Sequence, residues 1–147
     1  MKLRPVRPAD AERLTSWLPD VAADTAWAEW AEPDSLARAV HEPNVLTDES
    51  CAVFLAFELE SPNQHAALVD VLAVSPEQRR LGIGGRAVLA LERHLRGKAN
   101  CVYARVPASI GLALYFWLRL GYRPLTKKEW PVSPKSAGPA VWMMRNL

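Results

Sequence analysis

The residues with the clearest chemical potential form a glycine-rich loop near the middle of the chain. In order, they are Arg79, Arg80, Leu81, Gly82, Ile83, Gly84 and Gly85. The loop follows a strand-like apolar run and Pro76, and it opens a stretch with helical periodicity. Glycines at a helix start let a ligand approach the backbone, and the free N–H groups and positive dipole end there suit phosphate. With Arg86 close by, the pattern predicts a phosphate-binding loop; a plain glycine turn that opens a helix is the alternative.

Two other kinds of phosphate loop fit poorly. A Walker A loop needs Lys and then Ser or Thr after its last glycine, whereas Arg86 and Ala87 follow here. The spacing of a dinucleotide loop is present at Gly82, Gly84 and Ala87, but seven residues separate its first glycine from the preceding strand. That loop also expects an acidic residue about 20 positions later. The chain has no Asp or Glu between residues 92 and 129.

The distribution of charge supports an anionic ligand at this segment. The net charge is only +2, but residues 1–77 carry 14 acidic and 5 basic residues, whereas residues 78–128 carry 11 basic residues and one acidic residue. A basic central segment beside an acidic N-terminal half favours a polyanionic ligand at the former. The alternative is that charges close in sequence lie on different surfaces of the folded chain.

Length and composition exclude several classes of protein. The chain has 147 residues, 50% of them hydrophobic and 23% charged, as expected for one globular domain with a core. Its longest apolar runs are seven residues, whereas a membrane helix needs about 20. Cys51 and Cys101 lie in separate apolar runs without a Cys/His cluster, which predicts free thiols and no bound metal. We therefore expect a cytoplasmic protein without nucleic-acid or membrane partners.

The order of the predicted elements indicates the fold. We expect strands over residues 2–6, 51–60, 66–74, 100–106, 122–128 and 140–147, and helices over residues 8–18, 33–41, 83–96 and 109–120. A strand–helix–strand crossover within a mainly antiparallel set gives a mixed sheet. The prediction is an α/β (α+β) fold with a central sheet of six to seven strands, mostly antiparallel, and helices on both faces. Residues 1–147 are predicted to form a single domain.

Two sequence motifs resemble those of the GNAT (Gcn5-related) N-acetyltransferases. The first is LAVSPEQRRLGIG, from Leu72 to Gly84, in which an apolar strand end and a proline precede the glycine loop. The second is LYFWLRLGYRP, from Leu114 to Pro124, in which a helix rich in aromatic residues ends at Leu-Gly-Tyr. Their order, the order of the elements and the chain length fit the family over nearly the whole chain.

The resemblance implies acetyl-CoA as cosubstrate and no metal. The pantetheine arm would pair with Leu72, Ala73 and Val74, and the pyrophosphate would lie on the loop from Arg79 to Gly85. An amine of the acceptor would attack the thioester directly, without a covalent enzyme intermediate. The chemistry then requires loss of a proton from the amine, polarisation of the carbonyl and protonation of the thiolate.

The chain departs from the family at its catalytic positions. Trp117 stands where the family usually has a tyrosine that protonates the thiolate, and Ile110 and Arg105 replace two further polar residues. The resemblance therefore leaves Asp70 as the expected general base, acting through water, since it shares strand parity with Leu72 and Val74. Tyr115 is the remaining candidate acid, although it lies on roughly the opposite helix face from position 117. A salt-bridged or solvated Asp70 and a core or surface Tyr115 are the structural alternatives.

The N-terminal half suggests the acceptor. In the family the first helices form one wall of the acceptor site, and here that region contains Trp27 and Trp30 beside Asp20, Asp24 and Glu29. Acidic groups near indole faces suit a cation, so we expect a primary amine of a small molecule or peptide, cationic in solution. Inward-packed tryptophans with solvated acids are the alternative. The altered catalytic positions also leave open a GNAT-like regulatory domain that binds acyl-CoA without turnover, and the sequence is compatible with a homodimer.

Overall fold

The computed structural model describes residues 1–23, 28–32, 34–107, 111–131 and 140–147. The strands are β1 (Leu3–Pro5), β2 (Val45–Asp48), β3 (Val53–Leu59), β4 (Ala66–Val74), β5 (Cys101–Pro107), β6 (Arg123–Pro124) and β7 (Ala140–Asn146). The α-helices are α1 (Ala11–Thr15), α2 (Leu18–Ala22), α3 (Ser35–Ala39), α4 (Ile83–Leu95) and α5 (Gly111–Arg119). Short 3-10 helices cover Pro8–Asp10, Ala28–Ala31, Pro76–Gln78 and Lys127–Glu129.

The strands form one seven-stranded sheet in the order β1-β2-β3-β4-β5-β7-β6. β4 and β5 pair in parallel, in a register that includes Ala66 opposite Cys101 and Val69 opposite Ala104. β1 with β2, β2 with β3, β5 with β7, and β6 with β7 pair antiparallel. The prediction of a mixed, mostly antiparallel sheet is confirmed, and β1 lies at one edge, where Pro5 removes no interior hydrogen bond.

Contacts divide the chain into two compact units, of which the first comprises residues 1–57 and 71–91. Its core joins Leu14 and Leu18 of the N-terminal helices to Phe54 of β3 and Val71 of β4. Burial of such side chains contributes about 1.5–3 kcal/mol each. This unit contains the glycine loop and the C-terminal half of β4.

The second unit comprises residues 58–70 and 92–147. One cluster packs Trp142 of β7 against Tyr103 of β5 and Leu68 of β4. A second, polar cluster surrounds the buried Glu92, whose carboxylate accepts a hydrogen bond from the Tyr122 hydroxyl at 3.0 Å and pairs with Arg145 at 3.2 Å. Burial, followed by the nearby charge of Glu92, raises the pKa of Tyr122, so the hydroxyl remains a donor at neutral pH.

Two element predictions are wrong, and one strand was not predicted. The single helix expected over residues 8–18 is a 3-10 turn and two short helices, because Trp17 leaves helical geometry and its indole N–H donates to the Cys51 carbonyl at 3.0 Å. The strand expected over residues 122–128 is only Arg123–Pro124, after which Thr126 and Glu129 form a capping box. β2 was not predicted, since four residues carry little periodicity; all four are buried between β1 and β3.

No helix in the described ranges is both long enough and apolar enough to cross a membrane.

Candidate functional site

The glycine loop leads from a short 3-10 turn into the N-terminus of α4. Arg80 and Gly82 both adopt left-handed backbone geometry, with φ of 67° and 72°. The Arg86 N–H donates to the Gly82 carbonyl at 3.1 Å, which places this carbonyl at the first helical turn. The N–H groups just after Gly82 therefore have no acceptor within the helix. A Cβ atom built on Gly82 would meet nothing within 4 Å, so the loop leaves open space beside its backbone.

Three arginines surround this loop with their side chains exposed. The Arg79 Nε lies 3.4 Å from the Val74 carbonyl, and an Arg86 guanidinium nitrogen lies 3.4 Å from the Leu81 carbonyl. Carbonyl acceptors leave the positive charge of a guanidinium in place. The loop thus combines backbone donors at a helix start with the charges of Arg79, Arg80 and Arg86, an arrangement that can bind phosphate groups.

The strand before the loop presents alternate residues to two environments. Val71 and Ala73 are buried, whereas Asp70, Leu72 and Val74 are half-buried. The Ser75 N–H donates to the Ala52 carbonyl at 2.8 Å and fixes the end of β4. Asp70 thus has the same strand parity as Leu72 and Val74, as the sequence predicts; its role as a base stays a prediction.

Helix α5 carries the two aromatic residues considered for the acid role, on opposite sides. Trp117 is buried, with its ring 4.8 Å from that of Tyr122 at an interplanar angle of 70°. Tyr115 is 58% exposed, and the Arg119 guanidinium lies 5.6 Å from the centre of its ring. Trp117 is therefore a core residue, and the catalytic role of Tyr115 stays a prediction. Arg105 is exposed on β5, and position 110 lies outside the described residues.

The expected acceptor wall is only partly described. Trp27 and Asp24 lie outside the described residues, whereas Trp30 is half-buried and packs edge-on to Phe54 at 4.9 Å. Trp30 thus contacts the core of the first unit. Asp20 and Glu29 are both exposed. Binding of an acceptor by Trp27 and Trp30 stays a prediction.

A cavity of about 340 Å³ lies in the first unit and contains none of the predicted site residues. It is lined by the end of α1, by the turn before β3 and by Ser75, Glu77 and Gln78, which lead into the glycine loop. The Arg13 guanidinium donates to the Ser50 carbonyl at 2.8 Å and holds that turn. No local sequence signal marks this cavity, because its walls come from segments more than 20 residues apart.

Both cysteines are free thiols, as predicted, with Cys51 buried and Cys101 half-buried. Burial, reinforced by the Asp10 carboxylate, raises the pKa of Cys51 and keeps it protonated. Within the described ranges, no group of three or more His, Cys, Asp or Glu side chains is arranged to hold a metal ion.

Comparison with protein families gives the chemical class. The sequence model of the acetyltransferase (GNAT) family matches residues 8–122. The chain belongs to the GNAT acetyltransferase family. The matched range contains the glycine loop, α5 and the Leu-Gly-Tyr motif, so the resemblance noted in the sequence is confirmed. A comparison with curated proteins found no match.

Solved structures of GNAT and related acetyltransferases share the fold. An acetyltransferase from Thermus thermophilus is 22% identical, with a TM-score of 0.71 over 100% of this chain and 98% of that one. A ribosomal-protein-alanine N-acetyltransferase from Brucella melitensis is 17% identical, with a TM-score of 0.73 over 100% of both chains. A PaiA N-acetyltransferase from Thermoplasma acidophilum, solved in complex with coenzyme A, is 14% identical, with a TM-score of 0.73 over 99% of this chain and 98% of that one.

Proposed function

We propose that the protein transfers an acetyl group from acetyl-CoA to a primary amine of a small molecule or peptide, and that residues 1–147 act as one acyltransferase domain. Family membership supplies the acyl-transfer class. The observation that carries the proposal is the loop before α4, where left-handed Arg80 and Gly82 precede the free N–H groups of the helix start.

The residues of the loop and of β4 fit coenzyme A. The pyrophosphate would bind the backbone from Arg79 to Gly85, where the helix start and the arginines provide donors and charge. The pantetheine arm contains two amides, and the extended backbone of Leu72, Ala73 and Val74 can pair with amides as a neighbouring strand does. This assignment is also in keeping with the PaiA enzyme, whose structure contains coenzyme A.

The proposed reaction is a direct attack of the amine on the thioester. The amine nitrogen forms a bond to the carbonyl carbon, the carbon–sulfur bond breaks, and the amine loses a proton. Asp70, half-buried on β4, is the proposed general base and acts through a water molecule. Positioning of both substrates contributes much of the remaining rate enhancement.

Protonation of the departing thiolate is assigned to water. The Trp117 side chain is buried and its indole N–H is not a useful acid. Tyr115 remains the alternative donor from the protein, although its ring lies on the exposed side of α5 beneath Arg119.

The proposed acceptor is cationic in solution. A lysine-type amine has a pKa near 10.4, so it arrives as an ammonium group and must lose its proton in the site. Residues 1–77 carry a net charge of −9, which favours such a cation, and Trp27 and Trp30 are the proposed aromatic contacts. The affinity for the acceptor should therefore fall with salt.

The test is release of free CoA from acetyl-CoA with a panel of polyamines, amino-acid amides, aminoglycosides and lysine peptides. The KM for the best acceptor is measured at saturating acetyl-CoA and two salt concentrations. A weakly basic aromatic amine, uncharged at neutral pH, is the control for salt effects unrelated to acceptor charge. We expect the cationic acceptor alone to show a KM that rises with salt; a neutral or anionic best acceptor contradicts the proposal.

The burial of Trp117 at the family's usual acid position favours one alternative, a domain that binds acyl-CoA without turnover. The same assay separates the two, since this alternative predicts coenzyme A binding by calorimetry but no CoA release with any amine.

A further inference from the structure

An arginine of the second unit is exposed in the middle of the sheet. Arg105 lies on β5, which pairs with β4 on one side and with β7 on the other. The residues on either side of it, Ala104 and Val106, are buried, and so is Tyr103, which shares a face of the strand with Arg105. The cover over this face therefore ends between Tyr103 and Arg105. The guanidinium stands at an opening above an interior strand, where a sheet is normally covered.

The Arg105 guanidinium is available to a ligand. The ion pairs found among the described residues involve Arg4, Arg123 and Arg145. Within the same part of the chain, no acceptor holds the Arg105 side chain by a hydrogen bond. A guanidinium has five N–H donors and no acceptor. A ligand at this opening must therefore supply an acceptor atom, and oxygen is the usual one.

A second donor without an acceptor lies directly opposite on β7. Trp142 is the partner of Arg105 in the antiparallel register, and opposite residues of paired strands have Cβ atoms about 4.5–5.5 Å apart. Trp142 is 2% exposed, and its indole N–H is buried without a hydrogen-bond partner in the structure as described. Buried polar groups nearly always have a partner. This N–H thus requires an acceptor that water or a ligand provides.

Both donors lie beside the residue proposed as the base. The pairing of β4 with β5 ends at Val69 and Ala104, and the next residues of the two strands are Asp70 and Arg105. Neighbouring strands of a sheet are about 4.8 Å apart. All these residues belong to the second unit. A molecule whose amine lies at Asp70 therefore has its adjacent groups close to Arg105.

We propose that Arg105 binds a carbonyl oxygen next to the reacting amine of the acceptor, and that the Trp142 indole N–H reaches the same oxygen through a water molecule. On the proposed function, on which this assignment rests, the acceptor is then an amino-acid amide or a peptide. A protonated polyamine offers donors only and brings a second positive charge toward Arg105. A carboxylate would also suit a guanidinium, but it would cancel the positive charge of the proposed acceptor.

The first experiment compares two acceptors that differ at this oxygen. Alaninamide and its reduced analogue, in which a methylene group replaces the carbonyl, are assayed by steady-state kinetics at saturating acetyl-CoA. Arg105→Met should raise the KM for alaninamide by about tenfold, keep kcat within about threefold, and leave the KM for the analogue unchanged or lower. Arg105→Lys keeps the charge without the planar fork and should recover part of the loss. Arg93→Met removes another exposed arginine of this unit and should change neither KM.

The second experiment follows binding without turnover. The indole N–H signal of Trp142 in a nitrogen–proton correlation spectrum is assigned from its contacts with the Tyr103 ring, whose centre lies 6.1 Å from that of the indole. Titration of the CoA-bound protein with alaninamide should shift this signal, and the reduced analogue should leave it in place. In Arg105→Met the dissociation constant for alaninamide should rise by about tenfold.

The two experiments separate this inference from the proposed function. Failure of every amine to release CoA would overturn the proposed function, and the titration would still decide whether the site binds a carbonyl oxygen. Four results would overturn the inference itself. They are a kcat/KM for the analogue equal to that for alaninamide, an unchanged KM in Arg105→Met, an equal change in Arg93→Met, and a Trp142 signal that alaninamide does not shift.

Discussion

At the scale of single residues, the backbone of Gly82 determines the direction of the N–H groups at the start of α4. Its φ of 72° lies in the left-handed region, where other residues incur a steric cost of about 1–2 kcal/mol. Gly97, after the end of α4, has a φ of 81° and, like Gly82, open space around a built Cβ. The two glycines therefore have the same conformational requirement, but only Gly82 belongs to the proposed pyrophosphate loop.

This pair gives a matched test of the coenzyme A site. Gly82→Ala and Gly97→Ala should each destabilise the protein by about 1–2 kcal/mol. Only Gly82→Ala should weaken coenzyme A binding, by about tenfold, because relief of the strain turns the following N–H groups away from the phosphates. Thermal unfolding measures the first effect and calorimetry the second. Equal affinities in the two variants would place the pyrophosphate elsewhere.

A second pair of residues tests the assignment of chemical roles. Asp70→Asn should lower kcat by about 100-fold if the carboxylate is the base, and the loss should be largest where the wild-type carboxylate is ionised. Trp117→Phe should keep kcat within about threefold, because the indole packs on Tyr122 and takes no part in proton transfer.

Steady-state kinetics across pH, with thermal unfolding as a control for folding, measures both variants. A large loss of kcat in folded Trp117→Phe would show a chemical role for the indole. An unchanged kcat in Asp70→Asn would remove Asp70 as the base.

At the scale of elements, a buried ion pair attaches the first helical segment to the edge of the sheet. The Asp10 carboxylate accepts hydrogen bonds from the Arg4 guanidinium at 2.7 Å and 3.0 Å, and from the Arg7 N–H at 2.8 Å. The Cys51 thiol also donates to it, at 3.4 Å. The hydrogen bonds from Arg4, followed by that from Arg7, hold the pKa of Asp10 far below its usual range. β1, α1 and the turn before β3 thus depend on one ionised carboxylate.

The lowered pKa fixes the sign of the pH dependence. Asp10 is ionised more readily in the folded state than in the unfolded state. Its carboxylate therefore stabilises the fold at pH values above the unfolded pKa, about 3.9, and this contribution to the free energy of unfolding is lost as the pH falls below that value. Asp10→Asn should cost about 3–5 kcal/mol at neutral pH, because Arg4 then loses its buried partner, and should flatten the acid limb of the stability curve.

Denaturant unfolding at several pH values measures this effect. The control is Glu49→Gln, which removes the second and highly exposed carboxylate partner of Arg4. The loss of unfolding free energy in Glu49→Gln should be too small to measure, as is usual for exposed ion pairs. Equal losses in the two variants would mean that burial adds nothing to the Asp10 pair.

At the scale of the whole molecule, contacts between residues far apart in sequence complete the second unit. Arg145 of β7 pairs with Glu92 of α4 and also donates to the Leu120 carbonyl at the end of α5, at 2.8 Å. Tyr122 donates to the same Glu92. Removal of one charge from a buried pair costs more than removal of both, because an uncompensated charge remains.

Arg145→Met should therefore destabilise the protein by about 1–3 kcal/mol, because Glu92 is buried but the Arg145 side chain is 38% exposed and Tyr122 still donates to the carboxylate. The double variant Glu92→Leu/Arg145→Met should recover most of this loss, since it leaves no buried charge. Denaturant unfolding of the wild type, both single variants and the double variant gives the coupling free energy. Additive losses in the double variant would show that Glu92 and Arg145 act independently.

The sequence by itself determined the central elements and the candidate loop. β4 over Ala66–Val74 agrees with its prediction, and α4 over Ile83–Leu95 ends one residue earlier than predicted. Their signals are local: an apolar stretch interrupted only by Asp70, helical periodicity, and glycines and a proline at the boundaries. The loop motif is also a local signal, because all its residues lie in one stretch of the sequence. That one stretch was therefore sufficient to suggest both phosphate binding and the family.

Only the tertiary structure determined what depends on residues distant in sequence. Trp17 interrupts the predicted first helix because its indole reaches the Cys51 carbonyl, 34 residues away. Glu92 is buried because Tyr122 and Arg145, 30 and 53 residues away, satisfy its carboxylate. The sequence likewise did not show which side of α5 is exposed. The helix lies in an apolar run, and hydrophobic periodicity cannot distinguish the two sides of a helix that is apolar all round. Burial and pairing of these groups are properties of the packed chain, and no local pattern encodes them.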